Sequence, residues 1–171
     1  SVMLSVCEGG SVITLDQVET RDNLRVVSDI GSRLPIYCTS QGKVFLAHMS
    51  RTGAEALLRA QPMTQFTPHT VTDPSALMRE IETCRANGYA IENGEYKIGL
   101  RSISAPVYTV EGTVQYTVGV IGMFRSVHSE EFRAAVEQVC ATAAMISAAL
   151  GYRRREEHGG APAKTVPGAS E

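Results

Sequence analysis

The strongest constraint on the fold is a pair of alternating apolar segments, residues 100–108 and 114–123, which are joined through Glu111 and Gly112. Successive side chains of a strand point to opposite faces of a sheet. A glycine in the short gap between two such segments is typical of a β-hairpin turn. These residues therefore predict an antiparallel hairpin close to the C-terminal end of the fold.

If Glu111 and Gly112 are the two turn residues, the register of this hairpin follows directly. It makes four pairs: Ser102 with Ile121, Ile103 with Val120, Ser104 with Gly119, and Ala105 with Val118. One face is then a normal apolar core face, composed of Ile103, Ala105, Val107, Tyr116, Val118 and Val120. The opposite face, called the small face below, is composed of Leu100, Ser102, Ser104, Thr117, Gly119 and Ile121.

The small face has two interpretations. It is a sheet face covered by solvent or loops, or it is the floor of a ligand cavity. Small residues leave volume in such a cavity, and a few hydroxyl groups orient the ligand. The alternation by itself slightly favours the covered face.

The elements before the hairpin are predicted from apolar spacing and turn residues. Residues 2–6 and 12–15 flank a Gly-Gly pair and predict a first hairpin, and residues 24–27 predict a further short strand. Residues 34–49 begin extended, because a leucine precedes a proline there, and continue with helical spacing. This helix is expected to start near residue 39 or 40.

Two more helices and a strand follow. Thr52 with Glu55 has the spacing of a capping box and predicts the start of a second helix. Asp73 before a proline predicts the N-cap of a third helix, and Gly88 predicts its C-terminal end. Residues 89–92 then predict a short strand.

The last predicted element is a long helix from Ser129, as its N-cap, to about residue 150. Its apolar side chains recur at alternating spacings of four and three residues, at Phe132, Val136, Val139, Ala143, Ile146 and Leu150. Over so few heptads, packing against the sheet is favoured and a subunit contact is the alternative. Strands, helices, a hairpin and a final helix predict an α+β fold in residues 1–152, and the polar tail 153–171 is predicted to be disordered.

Length and charge set further limits. The chain has 171 residues, enough for one domain with a proper core, and a formal net charge of −2, which gives no strong attraction to nucleic acid. No apolar run is long enough to span a membrane. Four widely spaced cysteines and no recognisable signal peptide predict a reduced, cytoplasmic protein. The start on Ser1, directly in a strand-like pattern, suggests a fragment of a longer protein.

No local motif indicates an enzyme, a cofactor or a metal site. Gln41-Gly42-Lys43 resembles the end of a phosphate loop, but Tyr37 replaces its first glycine and Val44 its hydroxyl residue. The four histidines are scattered, so no sequence-local zinc site is predicted. A catalytic triad assembled in space stays open as a minor alternative.

Two segments carry a family resemblance: LPIYCTSQGKVFLA (34–47) and GYAIENGEYKIGLRSISAPVY (88–108). They resemble the L-P-x-x-x-x-x-x-G-K-x-x-L-A and G-Y-x-x-x-x-x-E-x-x-x-G-[VL]-R-x-I-[AS]-A-P-V signatures of the effector-binding domain of IclR-family bacterial transcriptional regulators. The intervening segment 66–88 is similar to that family as well, and the likeness covers residues 1 to about 151.

The resemblance implies a GAF-like domain, with a curved antiparallel sheet flanked by helices and an effector cavity on one side. It also implies a homodimer or homotetramer, and a winged helix-turn-helix, absent from this chain, that contacts DNA. By position, the implied effector site consists of Val26, Leu34, Ser40, Gln41, Glu92, Leu100, Ser102, Gly119 and Ile121. Four of these residues lie on the small face, which raises the weight of the cavity interpretation.

Several site residues depart from those common in the family, so the effector can differ from those of other members. The expected effector is a monocarboxylate, or an acid whose hydroxyl groups face Glu92, with an apolar body. Backbone amides of Ser40 and Gln41 at a helix start would bind the carboxylate, unless Ser40 merely caps its own helix. Two alternatives are an enzyme on the same scaffold, using Ser102 or Glu92, and an oligomerisation module with a vestigial pocket.

Overall fold

A computed structural model describes residues 1–19 and 29–153. It has a curved, six-stranded antiparallel sheet with strand order β3-β2-β1-β6-β5-β4. The strands are β1 (Val2–Glu8), β2 (Ser11–Val18), β3 (Arg33–Pro35), β4 (Ala90–Asn93), β5 (Arg101–Tyr108) and β6 (Val114–Gly122). The helices are α1 (Ser40–His48), α2 (Arg51–Arg59), α3 (Pro74–Asn87) and α4 (Glu130–Ala149). The predicted α+β fold with a long C-terminal helix is confirmed.

The β5–β6 hairpin has the predicted register, although the predicted turn is wrong. Thr109 donates its amide hydrogen to the carbonyl of Thr113, so the loop has three residues, not two. Tyr108 pairs with Val114, but the preceding Val107 pairs with Tyr116. A bulge therefore leaves Gln115 unpaired in this ladder. The bulge cancels the offset of the longer loop, and all four predicted pairs are present: Ser102 with Ile121, Ile103 with Val120, Ser104 with Gly119, and Ala105 with Val118.

The third helix begins and ends where the sequence predicts. The Asp73 carboxylate accepts hydrogen bonds from the amides of Ser75 and Ala76, at 3.2 and 3.0 Å. Gly88 takes a left-handed φ of 77°, which a glycine adopts without steric cost. The boundaries of α3 are therefore confirmed.

The predicted cap of the second helix is wrong. Ser50, not Thr52, is the N-cap, and its Oγ accepts a hydrogen bond from the amide of Gly53 at 3.1 Å. The Glu55 carboxylate forms ion pairs with the side chains of Arg51 and Arg59. Either hydroxyl residue satisfies the capping preference, and the earlier one starts the helix.

Helix α4 packs on its own sheet, as the seam pattern favoured. Its buried Phe132, Val139 and Ala143 form one apolar core with four residues of the predicted core face: Ile103, Ala105, Val107 and Val118. The other three helices lie on the opposite face of the sheet, with a second apolar core among them. The small face of the hairpin therefore lies under α1, inside the protein.

Two predictions fall largely outside the described residues. The predicted strand 24–27 lies there, together with Val26, and so does all but the first residue of the predicted tail 153–171. The predicted first hairpin is confirmed, with positive φ angles of 58° and 77° at Gly9 and Gly10. In the described part of the chain, no helix is long and apolar enough to cross a membrane.

Candidate functional site

A cavity of about 270 Å³ opens beside the start of α1, between β3 and the β4–β5–β6 part of the sheet. Six of the nine predicted site residues line it: Leu34, Gln41, Glu92, Leu100, Ser102 and Ile121. Strand pairing explains three of them, because Glu92 of β4 lies opposite Ser102 of β5, and Ser102 lies opposite Ile121 of β6. The sheet register thus brings these three side chains together on one face.

Two further predicted residues, Ser40 and Gly119, do not line this cavity. Ser40 is fully buried, and its Oγ lies 2.7 Å from the Oγ of Ser104, in a direct hydrogen bond. Gly119 lies opposite Ser104 in the register, under the same contact. Val26 lies outside the described residues. Helix α1 approaches the small face so closely at Ser104 that the cavity ends before it reaches Gly119.

This packing predicts that Gly119→Leu destabilises the fold instead of filling the ligand cavity. A Cβ at Gly119 would overlap the Oγ of Ser104 and stand 2.5 Å from the carbonyl oxygen of Ile103, so the side chain meets protein before it reaches the cavity. We expect a loss of stability of roughly 1–3 kcal/mol or more, as for overpacked cores, and any loss of ligand binding as its consequence. Urea unfolding followed by circular dichroism measures this. An unchanged midpoint would contradict the close contact.

Glu92 is a buried carboxylate held by three hydrogen bonds. Its Oε1 accepts from the amides of Glu95 and Tyr96, at 2.5 and 3.2 Å, and its Oε2 accepts from the Ser102 hydroxyl at 3.2 Å. The side chain is only 3% exposed. Burial raises the pKa of Glu92, the two amide hydrogen bonds oppose this rise, and the charge of Glu95 adds to it. Glu92 therefore forms a rigid wall with Ser102.

The start of α1 forms another wall. Thr39 is its N-cap: its Oγ1 accepts from the amide of Gly42 at 3.3 Å and donates to the carbonyl of Pro35 at 2.8 Å. The predicted start of the helix is confirmed, and the alternative that Ser40 caps it is wrong. Thr39 and Gln41 both line the cavity. Within the described part of the chain, no partner accepts from the amides of Ser40 and Gln41.

Two cationic side chains at the mouth of the cavity were not predicted from the sequence. Arg33 lines the cavity and is paired with Glu8 at 2.8 Å, both side chains being more than half exposed. Lys97 also lines it, with its Nζ 5.8 Å from the ring centre of Tyr96. Neither position has a periodic pattern, because Arg33 begins a strand of only three residues and Lys97 lies in the turn after β4. The recognised segments gave the only signal: Lys97 lies within residues 88–108, and Arg33 directly precedes residues 34–47. The remaining missed lining residues are Met3, Asp29, Ser32, Thr39 and Tyr96.

Comparisons with known proteins agree with this fold and site. The family model of the bacterial transcriptional regulator IclR C-terminal region matches residues 1–148. The HTH-type transcriptional regulator BhcR of Paracoccus denitrificans is 34% identical over 119 residues, which are 70% of this chain and 43% of that protein. The HTH-type transcriptional repressor AllR of Escherichia coli is 28% identical over 153 residues, 90% of this chain and 56% of that protein.

A solved structure is similar as well. An IclR homologue from Microbacterium hydrocarbonoxydans, in complex with 4-hydroxybenzoate, superposes with a TM-score of 0.78 at 26% identity, covering 87% of this chain and 60% of that one.

The fold and the cavity define a domain of the effector-binding class. More particularly, the chain belongs to the family of C-terminal domains of IclR-type bacterial transcriptional regulators. It spans about half the length of the curated relatives described above. These relatives are transcriptional regulators and not enzymes, so the enzyme alternative is not favoured.

Proposed function

We propose that the domain binds a small organic monocarboxylate in the cavity beside α1, and that this binding modulates the activity of a transcriptional regulator. The observation that carries the proposal is the position of the α1 start in the cavity wall: Thr39 and Gln41 line the cavity, and the Gln41 amide has no acceptor in the described part of the chain. Amide hydrogens at a helix start, reinforced by the helix dipole, favour a carboxylate.

The remaining walls limit the rest of the ligand. Leu34, Leu100 and Ile121 offer apolar surface, so the body of the ligand is apolar. The buried carboxylate of Glu92 disfavours a second ligand carboxylate beside it and suits a hydroxyl group. A volume of 270 Å³ is just below the usual range of roughly 300–1,000 Å³. It favours a compact acid with about one ring.

The solved relative supports this class of ligand, because 4-hydroxybenzoate combines one carboxylate, one ring and one hydroxyl group. In the proposed orientation, its carboxylate would lie at the start of α1 and its hydroxyl group near Glu92 and Ser102. This compound is therefore the first probe to use, as a representative of hydroxylated aromatic acids.

For the whole regulator, we propose an N-terminal winged helix-turn-helix that binds DNA, and a homodimer or homotetramer in the cytoplasm. The relatives BhcR and AllR are HTH-type regulators of which the match covers only 43% and 56%, which supports a separate DNA-binding part. The net charge of −2 gives this chain no strong attraction of its own to DNA.

The test of the ligand site is Ser102→Ala. A hydrogen bond is worth about 1 kcal/mol when neutral and roughly 1.5–3 kcal/mol to a charged group. We expect the variant to bind 4-hydroxybenzoate several-fold to about a hundredfold more weakly in isothermal titration calorimetry. The loss of a hydroxyl that only bonds Glu92 should leave the fold intact.

Ser104→Ala is the matched control. Ser104 lies two residues further along the same strand and face, but it bonds Ser40 and does not line the cavity. We expect it to leave the affinity nearly unchanged. Equal losses for both variants would contradict the site. If a panel of aromatic and aliphatic acids gives no heat and no thermal stabilisation with the unaltered chain, the vestigial-pocket alternative holds.

A further inference from the structure

The C-terminal half of α4 presents an uncharged face to solvent. From Gln138 to Tyr152 the sequence contains no Asp, Glu, Lys, Arg or His. Val139, Ala143 and Ser147 in this segment are buried. The other side of the helix, called the outer face below, is exposed and includes Ala141, Thr142, Ala144, Met145, Ala148 and Ala149. Because a surface helix normally carries charged residues on the side away from the core, the outer face is unusual for a surface in water.

Met145 is the main apolar side chain of the outer face. It is 73% exposed, and no other large apolar side chain in the described part of the chain is more exposed. Its neighbours on this face are mostly alanines, which let a second helix approach closely. Helix propensity alone does not explain the composition, because Lys, Arg and Glu are also good helix formers and none of them occurs here.

The charges that flank the outer face have opposite signs at its two ends. The exposed residues Glu130, Glu131, Arg133 and Glu137 at the start of α4 give a formal charge of −2. Arg153, which is also exposed, follows the end of the helix. In an antiparallel pair of these helices, the acidic start of one copy lies beside the basic end of the other. The charges therefore complement a second copy of the same helix and favour the antiparallel arrangement.

The spacing of the alanines agrees with such a pair. Ala134, Ala141 and Ala148 are all exposed and follow one another at intervals of seven residues, so they are symmetric about Ala141. A two-fold contact uses the same surface on both copies. If Ala141 lies on the two-fold axis, Ala134 of each copy faces Ala148 of the other, and Glu130 lies within one turn of the other copy's Arg153.

We propose that the outer face of α4 binds the same face of a second copy of this chain, as an antiparallel helix pair centred on Ala141. This assigns a surface to the self-association proposed above and rests on that part of the proposed function, but not on the effector. A 20-residue helix is about 30 Å long. A contact between two such helices is at the small end of specific interfaces, so the dimer is expected to be weak and to depend on concentration.

The test compares Met145→Glu with Met123→Glu in the full chain. Met123 is also an exposed methionine, at 60%, but it directly follows β6 and lies outside α4. Like charges facing each other across an interface are costly, and a two-fold contact contains the change twice. We expect Met145→Glu to raise the dimer dissociation constant at least about tenfold in sedimentation velocity, and Met123→Glu to leave it nearly unchanged.

This experiment is independent of the effector site. Both variants should bind 4-hydroxybenzoate as the unaltered chain does, because neither methionine lines the effector cavity. If the unaltered chain is a monomer at every concentration, or if both variants lose the dimer equally, the proposal is wrong even when 4-hydroxybenzoate binds normally. In that case the outer face would be left for another part of the regulator.

Cysteine cross-linking tests the antiparallel arrangement. Ala141→Cys should give a disulfide-linked dimer on mild oxidation, visible on a non-reducing gel, and the unaltered chain shows the background from its four native cysteines. Ala134→Cys should not link to its own copy, because the two residues would lie about 21 Å apart along the helix axis, too far for a disulfide. A mixture of Ala134→Cys and Ala148→Cys should link. Equal linking of Ala134→Cys and Ala141→Cys, or no linking of Ala141→Cys above background, would refute the proposed pair.

Discussion

Replacing Gly42 with alanine is expected to remove most of the stability of the domain. An alanine Cβ at this position would overlap the carbonyl oxygen of Ile36 and stand 2.6 Å from the Cα of Ile36. Backbone atoms cannot rotate away as the end of a side chain can, so α1 would have to move off the segment that precedes it. Overpacking usually costs 1–3 kcal/mol, and we expect at least about 3 kcal/mol here, against a typical total of 5–15 kcal/mol.

Gly53→Ala is the matched control. Gly53 also lies in the first turn of a helix, but its Cβ would meet only the Oγ of Ser50, at 2.9 Å. That hydroxyl can shift, and alanine favours a helix by up to about 1 kcal/mol over glycine. We therefore expect a change within about 1 kcal/mol of the unaltered protein. Urea unfolding of both variants by circular dichroism gives the comparison, and similar midpoints would show that the Gly42 contact is not tight.

The effect of Gly42 reaches the effector cavity through α1. The close contact with Ile36 fixes where the helix starts, and Thr39 and Gln41 in that first turn line the cavity. The glycine is thus needed for the position of the α1 start, where we propose that the ligand carboxylate binds. In the sequence, Gly42 and Lys43 belong to the family signature in residues 34–47, but no local pattern shows that two backbone segments cross there.

The part of the site formed by strand register could be predicted from the sequence. Side chains alternate between the two faces of a strand with a period of two residues. Once the turn is placed, Ser102, Gly119 and Ile121 are therefore predicted to share one face. The turn itself has one residue more than predicted, and the bulge at Gln115 cancels this difference. The correct register therefore depended in part on a compensation that alternation alone does not reveal.

The parts formed by tertiary packing could not be predicted in the same way. Ser40 and Gly119 have residue types that suit a ligand cavity, yet the contact between Ser40 and Ser104 closes the space between them. The cavity is also lined by Arg33, at the start of the three-residue strand β3, and by Lys97, in the turn after β4, and neither position has a periodic pattern. Such placements follow from the distance between α1 and the sheet, which depends on the whole core.

The burial of Lys43 could not be predicted from the sequence either, because lysine is rarely buried unless it is paired. Its partners lie 37 and 52 residues further along the chain, in α3 and in the turn after β4. The ammonium therefore ties three separate segments together. The same turn supplies the amides of Glu95 and Tyr96 to Glu92, so the ion pair also supports a wall of the effector cavity.

Lys43→Met is accordingly the second substitution with a large expected effect. Burial alone lowers the pKa of Lys43, but the carboxylates of Glu95 and Glu80 outweigh it and raise that pKa, so the lysine is charged in the folded state. Removing it leaves the buried carboxylate of Glu95 without its counter-ion. Loss of one partner of a buried pair typically costs about 3–5 kcal/mol, and we expect a loss in this range by urea unfolding.

A double-mutant cycle distinguishes the stranded charge from lost packing. When Glu95→Gln is combined with Lys43→Met, no uncompensated charge is left in the interior, so the double variant should be more stable than Lys43→Met alone. Lys97→Met is the control for losing a lysine at an exposed position and should stay within about 0.5 kcal/mol of the unaltered chain. If the double variant is no more stable than Lys43→Met, the cost comes from packing of the lysine stem. The carboxylate of Glu95 would then tolerate burial without its partner.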